Sequence, residues 1–197
     1  MENKKWLFNI FFLLFSVQLS FGLELTQLGA DIDGEASGDE SGSSVSMSAD
    51  GGTVAIGAYF NDGNGDYSGH VRIYQWNGSS WQQLGLDIDG EAAGDRSGWS
   101  VSLSADGGTV AIGAHTNDGN GDSSGHVRIY QWSGSSWQQL GLDIDGEAVG
   151  DDSGYSVSLS ADGTIVAIGA NYNDGNGDYS GHVRIYQWSG SSWQQLG

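Results

Sequence analysis

The hexapeptide NDGNGD occurs three times in this chain, at residues 61–66, 117–122 and 173–178. In each copy Asp, Asn and Asp stand at alternate positions, which is the ligand spacing at the opening of a calcium-binding loop. Calcium prefers such hard oxygen ligands, and a flexible loop can wrap around the ion. The spacing therefore predicts bound calcium, with these ligands: Asp62, Asn64, Asp66, Asp118, Asn120, Asp122, Asp174, Asn176 and Asp178. The alternative is that Asn-Gly and Asp-Gly simply form turns and that the acids are solvated.

These loops belong to a larger sequence repeat with a period of 56 residues. The chain divides into repeats at 28–83, 84–139 and 140–195. A fixed period of this size is typical of repeat architectures, propellers among them.

Each repeat contains four strand-like runs, which in the second repeat are SVSLSADG (100–107), TVAIGA (109–114), HVRIYQW (126–132) and SSWQQLG (135–141). Alternating Val, Ile, Tyr and Trp indicate strands, and ADGG and SGSS suit tight hairpin turns. A repeated meander of this kind is typical of propeller blades. We therefore predict an all-β fold of tandem four-stranded antiparallel blades, forming part of a larger or oligomeric β-propeller, with the repeated apolar residues as blade core.

A second acidic run, DIDGEAAGD, precedes the first strand of the second blade at residues 87–95. In an antiparallel blade the loop between strands two and three lies at the same end as the loop that enters strand one. Both acidic runs are therefore expected on one face of the propeller.

The repeats differ mainly at loop positions on that face, and several of the changed residues are aromatic. Positions 43, 99 and 155 are Ser, Trp and Tyr, while positions 59, 115 and 171 are Tyr, His and Asn. Exposed aromatic side chains on loops suit ligand contact. The candidate ligand-binding residues are Tyr59, Phe60, Trp99, His115, Tyr155 and Tyr172. The alternative is drift on tolerant loops.

A short pattern within each repeat resembles a known family. In the second repeat it comprises Gly98, Ser100, Val101, Gly113, Ala114, Gly125, Val127 and Tyr130. The pattern resembles the FG-GAP repeat of integrin α-chain propellers and of many bacterial surface proteins, which implies a propeller fold. The family often places a calcium loop between strands one and two. Here that connection is only ADGG or ADGT, so the resemblance does not carry that calcium site to this chain.

The first 22 residues read as a secretory signal peptide. MENKK is a basic start, an apolar run follows, and Ser20 and Gly22 place small residues before a cleavage site. A retained membrane anchor is the alternative. Cleavage would leave 23–197 as a secreted or cell-surface repeat domain with no membrane insertion. The chain has no Cys and a formal net charge of −19, so disulfides are excluded and nucleic acid is repelled.

These observations favour a non-catalytic adhesion or binding module for an extracellular protein or glycan. A structural spacer array and, less strongly, a propeller-type polysaccharide-active enzyme are the alternatives. His70, His126 and His182 occupy one repeated position, and a residue copied with the scaffold is more often structural than catalytic. No catalytic residue is predicted. Three blades do not close a propeller, so we expect the chain to be a fragment of a longer array, with a homo-oligomer as the alternative.

Overall fold

The computed structural model describes residues 26–197, which form fourteen β-strands and no helix. The predicted all-β fold is confirmed. The predicted signal peptide, residues 1–22, lies outside the described residues. Among residues 26–197 there is also no helix long and apolar enough to cross a membrane.

The first blade consists of β1 (Ser44–Met47), β2 (Thr53–Ala58), β3 (His70–Trp76) and β4 (Trp81–Gln83), paired antiparallel in that order. The short strand β5 (Ile88–Asp89) pairs with the beginning of β3, where His70 lies opposite Asp89. It belongs to the segment that leads into the next blade. The link between blades therefore runs back along the sheet that it leaves.

The second and third blades repeat this arrangement. The second contains β6 (Ser100–Leu103), β7 (Thr109–Ala114), β8 (His126–Trp132), β9 (Trp137–Gln139) and β10 (Ile144–Asp145). The third contains β11 (Ser153–Leu159), β12 (Ile165–Ala170), β13 (His182–Trp188) and β14 (Trp193–Gln195). The two central strands of the second blade match their predicted limits. The outer strands are shorter than predicted, and β5 and β10, of two residues each, were not predicted.

The core lies between the blades, because both faces of an inner blade are covered. Val71 and Ile73 of β3 pack with Leu103 and Val110 of the second blade. Val127 and Ile129 of β8 pack in the same way against the third blade. The predicted role of these repeated apolar residues as blade core is confirmed.

Close backbone approach fixes the junctions between blades. The Leu103 amide donates to the Ser46 hydroxyl at 2.9 Å, and Leu159 and Ser102 repeat this bond. A Cβ atom on Gly113 would collide with the Gly154 carbonyl of the next blade. Glycine at this position is therefore required by the neighbouring backbone.

The two end blades each leave one apolar face uncovered in the described residues. Val183 of β13 is 65% exposed, whereas its counterpart Val127 is fully buried. On the opposite side, Val45 and Met47 of β1 are also exposed. The residues on these faces are equivalent to those that pack at the inner junctions, so the faces could pack against another blade. Self-association through them stays a prediction.

Candidate ligand-binding face

The NDGNGD loops contact the acidic runs that precede the first strand of the next blade, at the junctions between blades. The Asn64 side-chain amide donates to the carbonyl of Gly90 at 2.8 Å and to that of Glu91 at 3.1 Å. The Gly94 amide donates back to the Asp66 carbonyl at 2.9 Å. The first NDGNGD loop is thus joined to the acidic run that leads into the second blade, and the second loop is joined in the same way to the run that leads into the third. Both contacts lie on the face where the strand topology predicts them.

The NDGNGD loops also hold themselves closed through turn hydrogen bonds. Asp62 Oδ1 accepts the amide of Tyr67 at 2.7 Å, and Asp118 and Asp174 accept the equivalent amides in their own loops. The amide of Asn64 donates to the Ser68 hydroxyl at 3.3 Å, as do those of Asn120 and Asn176 to their own serines. The predicted ligands therefore serve turn chemistry, and bound calcium stays a prediction.

Among residues 26–197, six residues other than glycine have left-handed backbone conformations, and all six fall at positions that differ between the repeats. They are Glu40, Arg96, Asp152, Tyr67, Ser123 and Tyr179, with φ between 50° and 56°. This region is sparsely populated by residues with a Cβ, and such strain concentrates at functional sites. The repeats thus keep the same constrained backbone at two positions. The first position carries Glu, Arg and Asp in turn, and the second carries Tyr, Ser and Tyr.

Aromatic rings from adjacent blades form a continuous cluster on this face. We call this cluster the aromatic patch, and it consists of Tyr59, Phe60, Tyr67, Trp99, His115 and Tyr155. The centroid of the Trp99 ring lies 4.2 Å from that of His115 and 4.9 Å from that of Tyr59. Tyr155 reaches Trp99 across the next junction at 5.4 Å. Rings from three successive blades therefore meet.

Five of the six residues predicted to bind a ligand belong to the aromatic patch. The sixth, Tyr172, lies apart from these five and pairs with Tyr179 in the loop of the third blade, with ring centroids 5.5 Å apart. Tyr67 was not among the predicted residues, although its ring lies 5.0 Å from that of Phe60. The one indication of Tyr67 in the sequence was that its position differs between the repeats.

Charged side chains border the aromatic patch. The Arg96 guanidinium lies 5.7 Å from the centroid of the Phe60 ring. The Tyr59 hydroxyl donates to Glu40 at 2.5 Å, and this bond raises the pKa of Tyr59. Burial raises the pKa of the nearby Asp152 carboxyl, against the opposing effect of Arg96. A cation and two carboxylates thus surround the rings.

The imidazole of His115 is part of the packing of the aromatic patch. The residue is only 4% exposed, and burial, reinforced by Arg96, lowers its pKa to about 4. It is therefore neutral near pH 7.

A separate cluster of Glu91, His126 and Asp143 lies where the linking segments cross β8. The pairing of β10 with β8 places Asp145 opposite His126, which brings Asp143 close to the imidazole. His126 Nδ1 lies 3.8 Å from Glu91 Oε2 and 3.9 Å from Asp143 Oδ2. Glu35, His70 and Asp87 form the same cluster one repeat earlier.

The imidazole in this cluster is not a charged partner of the carboxylates at pH 7. His126 is 1% exposed, and burial, followed by the influence of Arg128, lowers its pKa to about 4 although Asp143 acts in the opposite direction. Arg128 instead pairs with Glu91, with Nη1 3.6 Å from Oε1, and donates to the Asp89 carbonyl at 2.6 Å. The charge of Glu91 is therefore balanced in part by arginine.

Comparison with known proteins identifies the repeat and the fold. A family model described as the FG-GAP repeat matches residues 30–74 and 87–130. No curated protein matches this chain. The crystal structure of a candidate 6-phosphogluconolactonase from Bacteroides uniformis is similar, with a TM-score of 0.52 and 13% sequence identity. The match covers 78% of this chain but only 39% of that one, and at this identity it shows likeness of fold alone.

Proposed function

We propose that this chain, which carries FG-GAP repeats at residues 30–74 and 87–130, is a non-catalytic binding module, secreted or held at the cell surface. The aromatic patch is its contact surface. The predicted signal peptide and the acidic composition support export and a soluble, extracellular role.

The observation that carries this proposal is the convergence of the rings that differ between repeats. Blade-core positions such as Val71 and Val127 are the same in successive copies. The positions of Trp99 and Tyr155 change from copy to copy, yet their rings come within 5.4 Å of each other. Drift on tolerant loops gives no reason for the changed residues to be aromatic and to meet in space.

The composition of the aromatic patch favours a protein partner. Trp, Tyr and Arg are the residues that contribute most to protein–protein affinity, above all where they are packed and partly desolvated. The rings are tilted by 42° to 87° with respect to one another, and such an uneven surface suits a protein partner better than the flat face of a sugar. Glu40, Arg96 and Asp152 supply the polar rim.

The absence of catalysis is also part of the proposal. The one imidazole of the aromatic patch is buried, and its pKa of about 4 leaves it a weak base. A structural spacer array is the main alternative, and it would have no use for the patch.

The test is a binding screen with matched variants. The purified protein is presented to a panel of extracellular-matrix proteins and to a glycan array, and each binder is titrated by biolayer interferometry. We expect at least one matrix protein to bind, and Trp99→Ser to weaken it at least tenfold. Serine occupies the equivalent position 43, so the repeat tolerates it.

The control is Tyr179→Ser, which changes an exposed tyrosine outside the aromatic patch to the residue found at position 123. This variant should keep the affinity of the original chain. If no panel member binds, or if Trp99→Ser binds as tightly as the control, the proposal is wrong and the spacer array is favoured. Binding to the glycan array alone would overturn the choice of a protein partner.

A further inference from the structure

The Glu91–His126–Asp143 cluster contains a buried imidazole with no hydrogen bond. The distances from His126 Nδ1 to the two carboxylates, 3.8 and 3.9 Å, exceed hydrogen-bonding range. The other ring nitrogen, Nε2, is also buried without a partner. Buried polar groups normally have a partner, so an orphaned imidazole that faces two carboxylates needs an explanation.

The Glu35–His70–Asp87 cluster on the first blade repeats this arrangement. His70 Nδ1 lies 3.8 Å from Glu35 Oε2, Asp87 completes the group, and His70 Nε2 also lacks a partner. In both clusters one donor atom from each residue lies within 4.8 Å of the other two.

We propose that each of these two clusters is a binding site for a divalent transition-metal ion, with Zn²⁺ the ion that fits best. One imidazole nitrogen and two carboxylate oxygens are ligands that zinc accepts, and water can complete a four-coordinate shell. Calcium takes oxygen ligands only, so the imidazole argues against it here. This proposal is independent of the binding function assigned to the aromatic patch.

The spacing of the donor atoms agrees with this assignment. Ligand bonds of about 2.0–2.1 Å place tetrahedral donor atoms roughly 3.4 Å apart. The observed separations of 3.8 and 3.9 Å are about half an ångström longer. The Glu91 and Asp143 side chains are 45% and 29% exposed, so small rotations of these two side chains can close both gaps and an ion can enter from solvent.

The surrounding residues hold the ligands in place. Arg128 pairs with Glu91 Oε1 and leaves Oε2 directed at His126. The β10–β8 pairing fixes the segment that carries Asp143. Bound metal would therefore fasten each linking segment to the blade that it leaves.

The third repeat supplies an internal control. Glu147 Oε2 lies 3.7 Å from His182 Nδ1, as in the other two clusters. Among residues 26–197 no third carboxylate or imidazole ligand joins this pair. This pair alone offers one ligand fewer.

The test is titration of the chelator-treated protein with two metal ions. Binding of Co²⁺ is monitored by visible absorption, and binding of Zn²⁺ by calorimetry. We expect two ions per chain. The double variant His70→Asn/His126→Asn should bind each of them at least tenfold more weakly, whereas His182→Asn should keep both. Far-ultraviolet circular dichroism checks that the variants are folded.

Asp87→Asn/Asp143→Asn provides a second variant that leaves the buried imidazoles intact. It should show the same loss, and the Co²⁺ absorption bands of imidazole and carboxylate ligation should disappear with it. The proposal is overturned if the original chain binds neither Co²⁺ nor Zn²⁺ at micromolar concentrations. It is equally overturned if folded variants of His70 and His126, or of Asp87 and Asp143, bind both ions as before.

Discussion

The rings of Trp99 and His115 lie with their centroids 4.2 Å apart, at the open end of the β6–β7 hairpin, opposite its turn. The register of that hairpin pairs Ser100 with Gly113 and so brings the residues just beyond each strand together. Tyr59 and Tyr155 then reach Trp99 from the blades on either side. A local hairpin contact thus becomes the centre of a surface shared by three blades.

The buried His115 should make the protein less stable in mild acid. Its pKa is about 4 in the folded protein and near 6.5 in the unfolded chain, so unfolding takes up a proton between these values. The free energy of unfolding therefore falls as the pH is lowered from 6.5 towards 4, and this residue accounts for about 2 kcal/mol between pH 7 and pH 5. Urea unfolding at pH 5, 6 and 7 measures the effect.

The matched variant for this prediction is His115→Asn, since asparagine occupies position 171 of the third repeat. It should lose less stability than the original chain on going from pH 7 to pH 5, whatever its stability at pH 7. His126 continues to titrate in both proteins, so some acid sensitivity remains. An unchanged pH dependence in the variant would contradict the assignment.

Gly113 should tolerate alanine far less well than Gly169 does. At Gly113 the added Cβ would meet the Gly154 carbonyl of the next blade, whereas at Gly169 it would meet only the movable Ser156 side chain and more distant atoms of the same residue. Because backbone cannot rotate away, we expect Gly113→Ala to lower the free energy of unfolding by about 3 kcal/mol. Gly169→Ala should change it by less than about 1 kcal/mol. Equal effects in urea unfolding would argue against close packing of the blades.

Calcium should raise the melting temperature if the NDGNGD loops bind it. Asp62→Asn, Asp118→Asn and Asp174→Asn together remove three charges but keep an oxygen to accept the amides of residues 67, 123 and 179. A ligand that binds the folded state stabilises it by mass action. We therefore expect millimolar calcium to raise the melting temperature of the original chain by several degrees and to leave the triple variant unchanged.

Two comparisons complete the calcium experiment. The chelator-treated triple variant should melt close to the chelator-treated original chain, because the turn hydrogen bonds are kept. Zinc binding by the triple variant should be unaffected, since the Glu–His–Asp clusters lie outside these loops. If calcium leaves the melting temperature of the original chain unchanged, the loops serve turn chemistry only.

The repeat, the blades and the general position of the variable face could all be predicted from the amino-acid sequence. The alternate spacing of Val and Ile predicted the limits of β7 and β8 to the residue, because successive side chains of a strand point to opposite faces of the sheet. Hairpin topology was enough to place both acidic runs at one end of each blade. Five of the six candidate ligand-binding residues did come together for the same reason.

The contacts between side chains across the junctions could not be predicted in this way, because they depend on how the blades pack. The β5 and β10 strands have two residues each, too few to show a period, and they exist because an adjacent strand offers hydrogen bonds. Glu91 and Asp143 are separated by a whole blade in sequence, and both approach His126 only because the linking segments cross β8. Glu40 and Arg96 likewise have left-handed conformations in the loops that enter β1 and β6, which neither residue type reveals on its own.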